Sequence, residues 1–212
     1  MNFSIIEAEQ RSPEWFAARS GRLTGSRARD MLAKIQKGEA AARRDYRMQL
    51  ACERLTGVPM EDDYINKEMQ RGIDKEPDAI GEYEADTGLL VQRTGFICSD
   101  DFLAGCSLDG HIGTFDGILE VKCPKSTTHI AWMKAGVVPS EHLPQLKHNC
   151  WITGAMFADF VSFDDRLPTG LQFFRVRYVP SEKDLLEYEL AASLFLSEVE
   201  EEVKALSALR AA

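Results

Sequence analysis

Two acids and a lysine, set in short apolar stretches, are the residues of this chain best suited to chemistry. Asp109 follows Phe102, Ala104, Cys106 and Leu108, apolar residues in alternation, and Glu120-Val121-Lys122 follows Ile118 and Leu119. Gly113, Asp116 and Gly117 between them supply hairpin turn chemistry. Strands joined by a hairpin lie side by side, so the two acids are expected to converge. Strand alternation puts Glu120 and Lys122 on one face with Val121 turned away. Two carboxylates and one ammonium on a common face are the minimum set for holding Mg²⁺ against a phosphodiester. The same pattern also describes an ordinary solvated strand face. The apolar neighbours Leu108, Leu119 and Val121 argue against that, because a buried charge needs a partner such as a metal.

The elements around this pair follow from local signals. Ser12-Pro13-Glu14 starts a helix, with a hydroxyl cap, proline at the first helical position and an acid near the positive end of the dipole. That helix stops by Gly21, and a second is expected from Thr24 or Ser26 through Met31, Leu32 and Ile35. The segment between, Arg19-Ser20-Gly21-Arg22-Leu23-Thr24-Gly25-Ser26, stands before a helix N-terminus where free N–H groups favour an anion. Read alone, it is better described as an ordinary capped turn with exposed arginines. Arg43 to Thr56 reads as an amphipathic helix with Tyr46, Leu50 and Leu55 inward and Arg43, Arg44 and Arg47 outward, closed by Gly57 and Pro59. Residues 64–87 are helical in pattern, with Pro77 expected to kink or restart the helix just after Glu76. Strands are expected from Leu89 to Pro124, then helices over Thr127 to Ala135 and Ser140 to Thr153. Two more strands (Phe157 to Phe163, Leu171 to Val179) and a final helix after Ser181-Glu182-Lys183-Asp184 complete the chain. The acidic run Glu198 to Glu202 on that helix reads as a solvated face or a subunit contact.

Ser107-Leu108-Asp109, ten residues, then Glu120-Val121-Lys122 resembles the PD-(D/E)xK nuclease signature, with Leu108 in the usual proline position. The wider chain resembles the phage lambda exonuclease, or YqaJ-like alkaline exonuclease, family. The matching blocks run from Trp15 to Ser26, from Arg71 to Ala79, from Cys106 to Gly110, from Leu119 to Pro124, and from Pro144-Gln145-Leu146 towards Trp151. The resemblance implies an α/β fold, a central mixed β-sheet flanked by helices with a restriction-endonuclease-like core. It also implies a two-metal phosphodiester hydrolase, with Asp109, Glu120, the Val121 carbonyl and Glu76 as ligands to two Mg²⁺ ions (Mn²⁺ an expected substitute). In that scheme Lys122 supplies positive charge at the scissile phosphate and orients or deprotonates the water, and Gln145 is a catalytic residue on its helix, orienting the attacking water or a scissile phosphate oxygen. Arg19 and Ser26 would hold a 5′-terminal phosphate, with Ser107 a further DNA contact. The activity implied is 5′-to-3′ digestion of linear double-stranded DNA to mononucleotides, leaving 3′ single strands for annealing recombination. A ring-shaped homotrimer and a single-strand annealing recombinase are the implied partners, in the cytoplasm of a bacterial host. Two positions depart from the family pattern: a tyrosine expected four residues after Gln145 is Asn149, and a second glutamine is Lys147. Whether Gln145 or Lys147 takes the helix role is therefore open.

The composition sets limits on these readings. The 212 residues suit one α/β domain, with 44% hydrophobic and 28% charged residues. No apolar run approaches the ~20 residues that span a bilayer, and Met1 to Gln10 lacks the pattern of a secretory signal. Five cysteines without CxxC pairing (Cys52, Cys98, Cys106, Cys123, Cys150) read as reduced thiols. The net charge of −9 is unevenly spread: residues 1–60 carry +4 and residues 61–212 carry −13. Association with phosphates depends on local field rather than total charge, so a basic N-terminal portion is compatible with DNA. His111 is expected in a turn, and neither a histidine metal site nor a triad with Ser107 is expected, since His142 and His148 do not share a helix face. Two competing readings remain: a PD-(D/E)xK endonuclease, and an inert DNA-binding or assembly protein on the same scaffold.

Overall fold

The computed structural model of the protein describes residues 2–60 and 64–211. The chain opens with β1 (Phe3–Ile6) and α1 (Pro13–Arg19), followed by β2 (Leu23–Thr24), a 3₁₀ turn over Gly25–Arg27 and the short α2 (Ala28–Met31). Two longer helices, α3 (Ala41–Thr56) and α4 (Lys67–Thr87), precede β3 (Phe96–Ser99), β4 (Ala104–Cys106), β5 (Gly110–Ile112) and β6 (Gly117–Lys122). Then come α5 (Ser126–Ala135), α6 (Leu143–Thr153), β7 (Phe157–Phe163), β8 (Phe173–Tyr178) and α7 (Glu182–Ala211).

The expected mixed sheet is divided in two. One four-stranded sheet has the order β1-β3-β4-β2 and the other β5-β6-β7-β8. Each contains one parallel pair, β2 with β4 and β6 with β7, among antiparallel ones. The division falls at Ser107-Leu108-Asp109, between β4 and β5, so the strand expected through Leu108 ends at Cys106. One apolar core serves both sheets, with Leu23, Ile97 and Ala104 from the first and Ile118, Ala158 and Phe160 from the second packed around α6 and α7. A second cluster joins α4, through Ala79 and Tyr83, to Leu119, Val121 and Val161 on the other face of β6 and β7. Strand β6 is therefore covered on both sides, which explains why five of its six residues are buried, Glu120 among them.

Helix ends obey their local chemistry. Ser12 accepts from the Trp15 N–H, Asn66 accepts from the Met69 N–H, and Gly57, Gly88, Gly136 and Gly154 close their helices in the left-handed region. Four expectations fail. Helix α4 runs unbroken through Pro77, which is exposed, so the helix forfeits the one ladder bond that proline cannot make. Helix α2 stops at Met31, and Ile35 lies beyond it, exposed. Leu55 is exposed rather than inward. Arg43 and Arg47 do not face solvent as expected: both pair with Glu198 on α7 and with Glu39, and Arg47 pairs also with Glu202. The acidic run is thus a contact within the chain that fastens α3 to α7. Among the described residues no helix is long and apolar enough to cross a membrane, and all five cysteines are free thiols.

Candidate active site

Asp109 sits one residue before Gly110, which pairs with Leu119, so its side chain comes alongside Glu120 of β6. Its Oδ2 accepts the Val121 backbone N–H at 2.6 Å, an anchor that a strand partner's amide provides at no side-chain entropy cost. Glu120 and Lys122 share a face of β6 as alternation requires, and the Lys122 ammonium pairs with Glu120 Oε1. Val121 packs away from them into the second cluster. Glu120 is 1% exposed. Burial pushes its carboxyl up to about 7, with Lys122 opposing the rise and Asp109 adding to it. Burial would lower the Lys122 ammonium, but the charges of Glu120 and Asp109 outweigh it and hold the group above its ordinary range. Lys122 is thus a cation at neutral and alkaline pH.

Glu76, on α4, faces the same cleft of about 460 Å³, together with Asp109, Val121, Lys122, Trp132 and His142. Its carboxylate pairs with Arg93 at 2.9 Å. Burial, and then the charge of Asp109, raises its pKa against the pull of Arg93. Glu76 and Glu120, both raised by burial and by neighbouring negative charge, call for a counter-charge beside Asp109. The second oxygen of Glu120, Oε2, is buried with no hydrogen-bond partner. Leaving such an oxygen unmet costs ~1–3 kcal/mol or more. Among the described residues no group of three His, Cys, Asp and Glu residues is assembled as a metal cage. The donors within reach are carboxylate and backbone oxygens, which suits a hard cation such as Mg²⁺ that keeps much of its water. Glu120 Oε2, Asp109 and, once released from Arg93, Glu76 fit that role.

The other predicted group assembles next door. Arg19, at the end of α1, is 7% exposed, stacks over the Trp15 ring at 4.1 Å and donates to Ser26 Oγ at 3.3 Å. Ser107 accepts the Trp15 indole N–H at 2.9 Å, so it fixes the ring on which Arg19 rests. Ser26 opens onto a cavity of about 210 Å³ that also takes Arg29, Glu141, His142 and Gln145. The predicted pair is therefore joined, and Gln145 lies with it. Lys147 is drawn elsewhere, to Asp184 at the start of α7 at 2.5 Å. The helix dipole contributes little here, since α2 is a single turn.

Several residues that hold this cavity were not singled out in the sequence. Glu53 accepts the Gly21 N–H at 2.7 Å, Arg54 donates to the Gly21 carbonyl at 2.9 Å, and Tyr46 accepts the Thr24 N–H at 3.0 Å. All three lie on α3, so one helix fixes the whole loop. Glu53 had a legible signal, an acid one turn after Leu50 on the buried side. Arg29 is the exposed guanidinium of the cavity, and among the described residues His142 is the one that lines both it and the larger cleft. Asn149, at the expected tyrosine position, is buried beneath Gly25 with its amide unpartnered. His129 and His148 are core residues, each with Nε2–H donating to a backbone carbonyl and Nδ1 accepting from a hydroxyl. His111 lies in β5, not a turn, and stacks on Phe115.

A family profile described as YqaJ-like viral recombinase domain matches residues 14–156. The chain is similar to the crystal structure of an alkaline exonuclease (LHK-Exo) from Laribacter hongkongensis. The two are 39% identical, with a TM-score of 0.85 over 94% of this chain and 98% of that one. LHK-Exo in complex with dAMP gives 38% identity and a TM-score of 0.84, with the same coverage. A phage-related exonuclease from Haemophilus somnus 129PT shares the fold at 15% identity, with a TM-score of 0.66 over 87% of this chain and 96% of that one. No curated protein sequence matches the chain.

Proposed function

The chain belongs to the family of YqaJ-like viral recombinase domains, the alkaline exonuclease family, which supports a nuclease role, and on that premise we propose that it is a Mg²⁺-dependent 5′-to-3′ exonuclease. Its substrate is linear double-stranded DNA, from which it releases mononucleotides and leaves a 3′ single strand. The observation that carries this reading is the convergence of Asp109, Glu120 and Lys122 around a buried carboxylate oxygen without a partner.

Bound between these acids, Mg²⁺ would act as a Lewis acid on the phosphodiester and make water a better nucleophile. The chain's own residues do the rest. Asp109, held by the Val121 amide, and Glu120 supply fixed oxygens. Lys122 would face the charge that develops on the scissile phosphate and offset it electrostatically. The neighbouring cavity would hold the terminal 5′-phosphate. Ser26 and Gln145 offer neutral donors there and Arg29 a charged one, with Arg19 behind Ser26 orienting its hydroxyl. Such a cavity has a purpose only for an enzyme that begins at an end, which favours an exonuclease over an endonuclease on the same scaffold. Assembly as a ring-shaped homotrimer, work alongside a single-strand annealing recombinase and a place in the bacterial cytoplasm belong to the same proposal. The test is digestion of 5′-labelled and 3′-labelled linear duplex with and without Mg²⁺. Early release of labelled mononucleotide from the 5′ label alone, and only with Mg²⁺, is the expected result.

A further inference from the structure

We propose that His142 is the partition that sets the length of the released product at one nucleotide. This rests on the reading above, in which the 210 Å³ cavity takes the terminal phosphate and the 460 Å³ cleft takes the scissile one. His142 lines both. To place one phosphate in each space, a nucleotide must pass its sugar across this imidazole. A strand pushed further would have to fit a second nucleotide into a cavity of only about 210 Å³, lined beside His142 by Gly25, Ser26, Arg29, Glu141 and Gln145.

The ring is built to stay in place. It stacks on Phe160 at 5.2 Å with an interplanar angle of 29°, and meets Trp132 edge-on at 5.3 Å and 88°. Its backbone caps α6, whose first turn carries Pro144, and Leu146 N–H bonds back to its carbonyl at 3.1 Å. Phe160 is fully buried on β7, directly opposite Glu120 in the β6–β7 register, so the partition is referenced to the strand that carries the acids. Burial, and then Lys122, pushes the imidazole down to about 4, with Arg29 adding to the effect and Glu141 opposing it. A neutral ring between two cations does not itself capture a phosphate. Phosphates are drawn to Lys122 on one side and Arg29 on the other, and the ring keeps those positions apart. The role is that of a positioning residue, with no proton transferred.

The test is product length on uniformly labelled, 5′-phosphorylated linear duplex with Mg²⁺, read by mass spectrometry. The parent protein is expected to release mononucleotides. His142→Ala should shift the products towards dinucleotides and longer, because the wall is gone, whereas His142→Phe, which keeps a ring on Phe160, should retain mononucleotides. A loss of packing alone would change rate or stability without changing product length. Mononucleotides alone from His142→Ala overturn the proposal. So does inactivity of both variants, which would assign His142 to hydrolysis or to folding. If the parent itself releases nothing from linear duplex with Mg²⁺, the nuclease reading falls, an outcome distinct from either of these.

Discussion

Replacing Glu120 with glutamine should make the metal-free protein more stable at alkaline pH and leave it nearly unchanged in acid. Glu120 is 1% exposed, and burial lifts its carboxyl from the ordinary 4.5 to about 7 despite the pairing with Lys122. Between those values the folded protein keeps a proton that the unfolded chain gives up. The group's contribution to stability is therefore fully present below 4.5 and is lost as pH rises through about 7. At about 1.36 kcal/mol per pKa unit, the gap from 4.5 to about 7 corresponds to about 3 kcal/mol when complete. Glutamine has nothing to ionise and still offers its amide oxygen to Lys122. The assay is urea unfolding of parent and Glu120→Gln in the presence of a chelator, at about pH 5 and about pH 8. The stability difference in favour of the variant should grow by about 2–3 kcal/mol between the two. Adding Mg²⁺ at about pH 8 should then stabilise the parent and not the variant, since a ligand stabilises only the state that binds it. Parallel pH profiles, or equal stabilisation by Mg²⁺, would refute the view of Glu120 as a buried carboxylate awaiting a cation.

Three other perturbations test separate parts of the site. Lys122→Ala should lower turnover by about 10²–10³ while DNA binding is largely kept, because its cation is one of several near phosphate but single at the developing charge; turnover within a few-fold of the parent would remove Lys122 from the chemistry. Arg19→Ala should slow digestion of 5′-phosphorylated duplex by about two- to tenfold, because Ser26 loses the hydrogen bond that orients its hydroxyl, and leave 5′-hydroxyl duplex much less affected. Since Arg19 would act on the phosphate only through Ser26, its loss should matter little once the phosphate is gone, and fully multiplicative losses in that four-way comparison would place Arg19 outside end recognition. Gly25→Ala should cost about 1–3 kcal/mol in thermal or urea unfolding, because the added Cβ would fall 2.3 Å from the buried Asn149 Oδ1; an unchanged midpoint would mean that the loop moves freely over α6.

The core of the site is legible in the sequence because strand geometry has a short period. Glu120 and Lys122 share a face for no reason beyond their spacing, and the Gly113–Gly117 turn fixes which residue lies beside Asp109. The segment proposed to hold the 5′-phosphate is legible in its glycines and hydroxyls, although its second helix proves a single turn. What escapes is whatever depends on a partner distant in the chain. Arg43 and Arg47 look like solvated charge until α7 brings Glu198 and Glu202 beside them. Pro77 reads as a helix break until the packing of Ala79 and Tyr83 on β6 and β7 outweighs one missing hydrogen bond. His142 carries no local signal, since its place between two cavities is set by Phe160, Trp132 and the β6–β7 register. The division of the sheet is equally silent: a bend at Ser107-Leu108-Asp109 leaves the alternation of apolar residues intact.

The most direct measurement of the central claim compares one plasmid as a covalently closed circle and as a linear duplex, each incubated with the protein and Mg²⁺, with release of acid-soluble nucleotide followed in time. The account predicts release from the linear form alone, none without Mg²⁺, and none from either form with Asp109→Ala. Nicking or degradation of the closed circle, or undiminished release by Asp109→Ala, would contradict it.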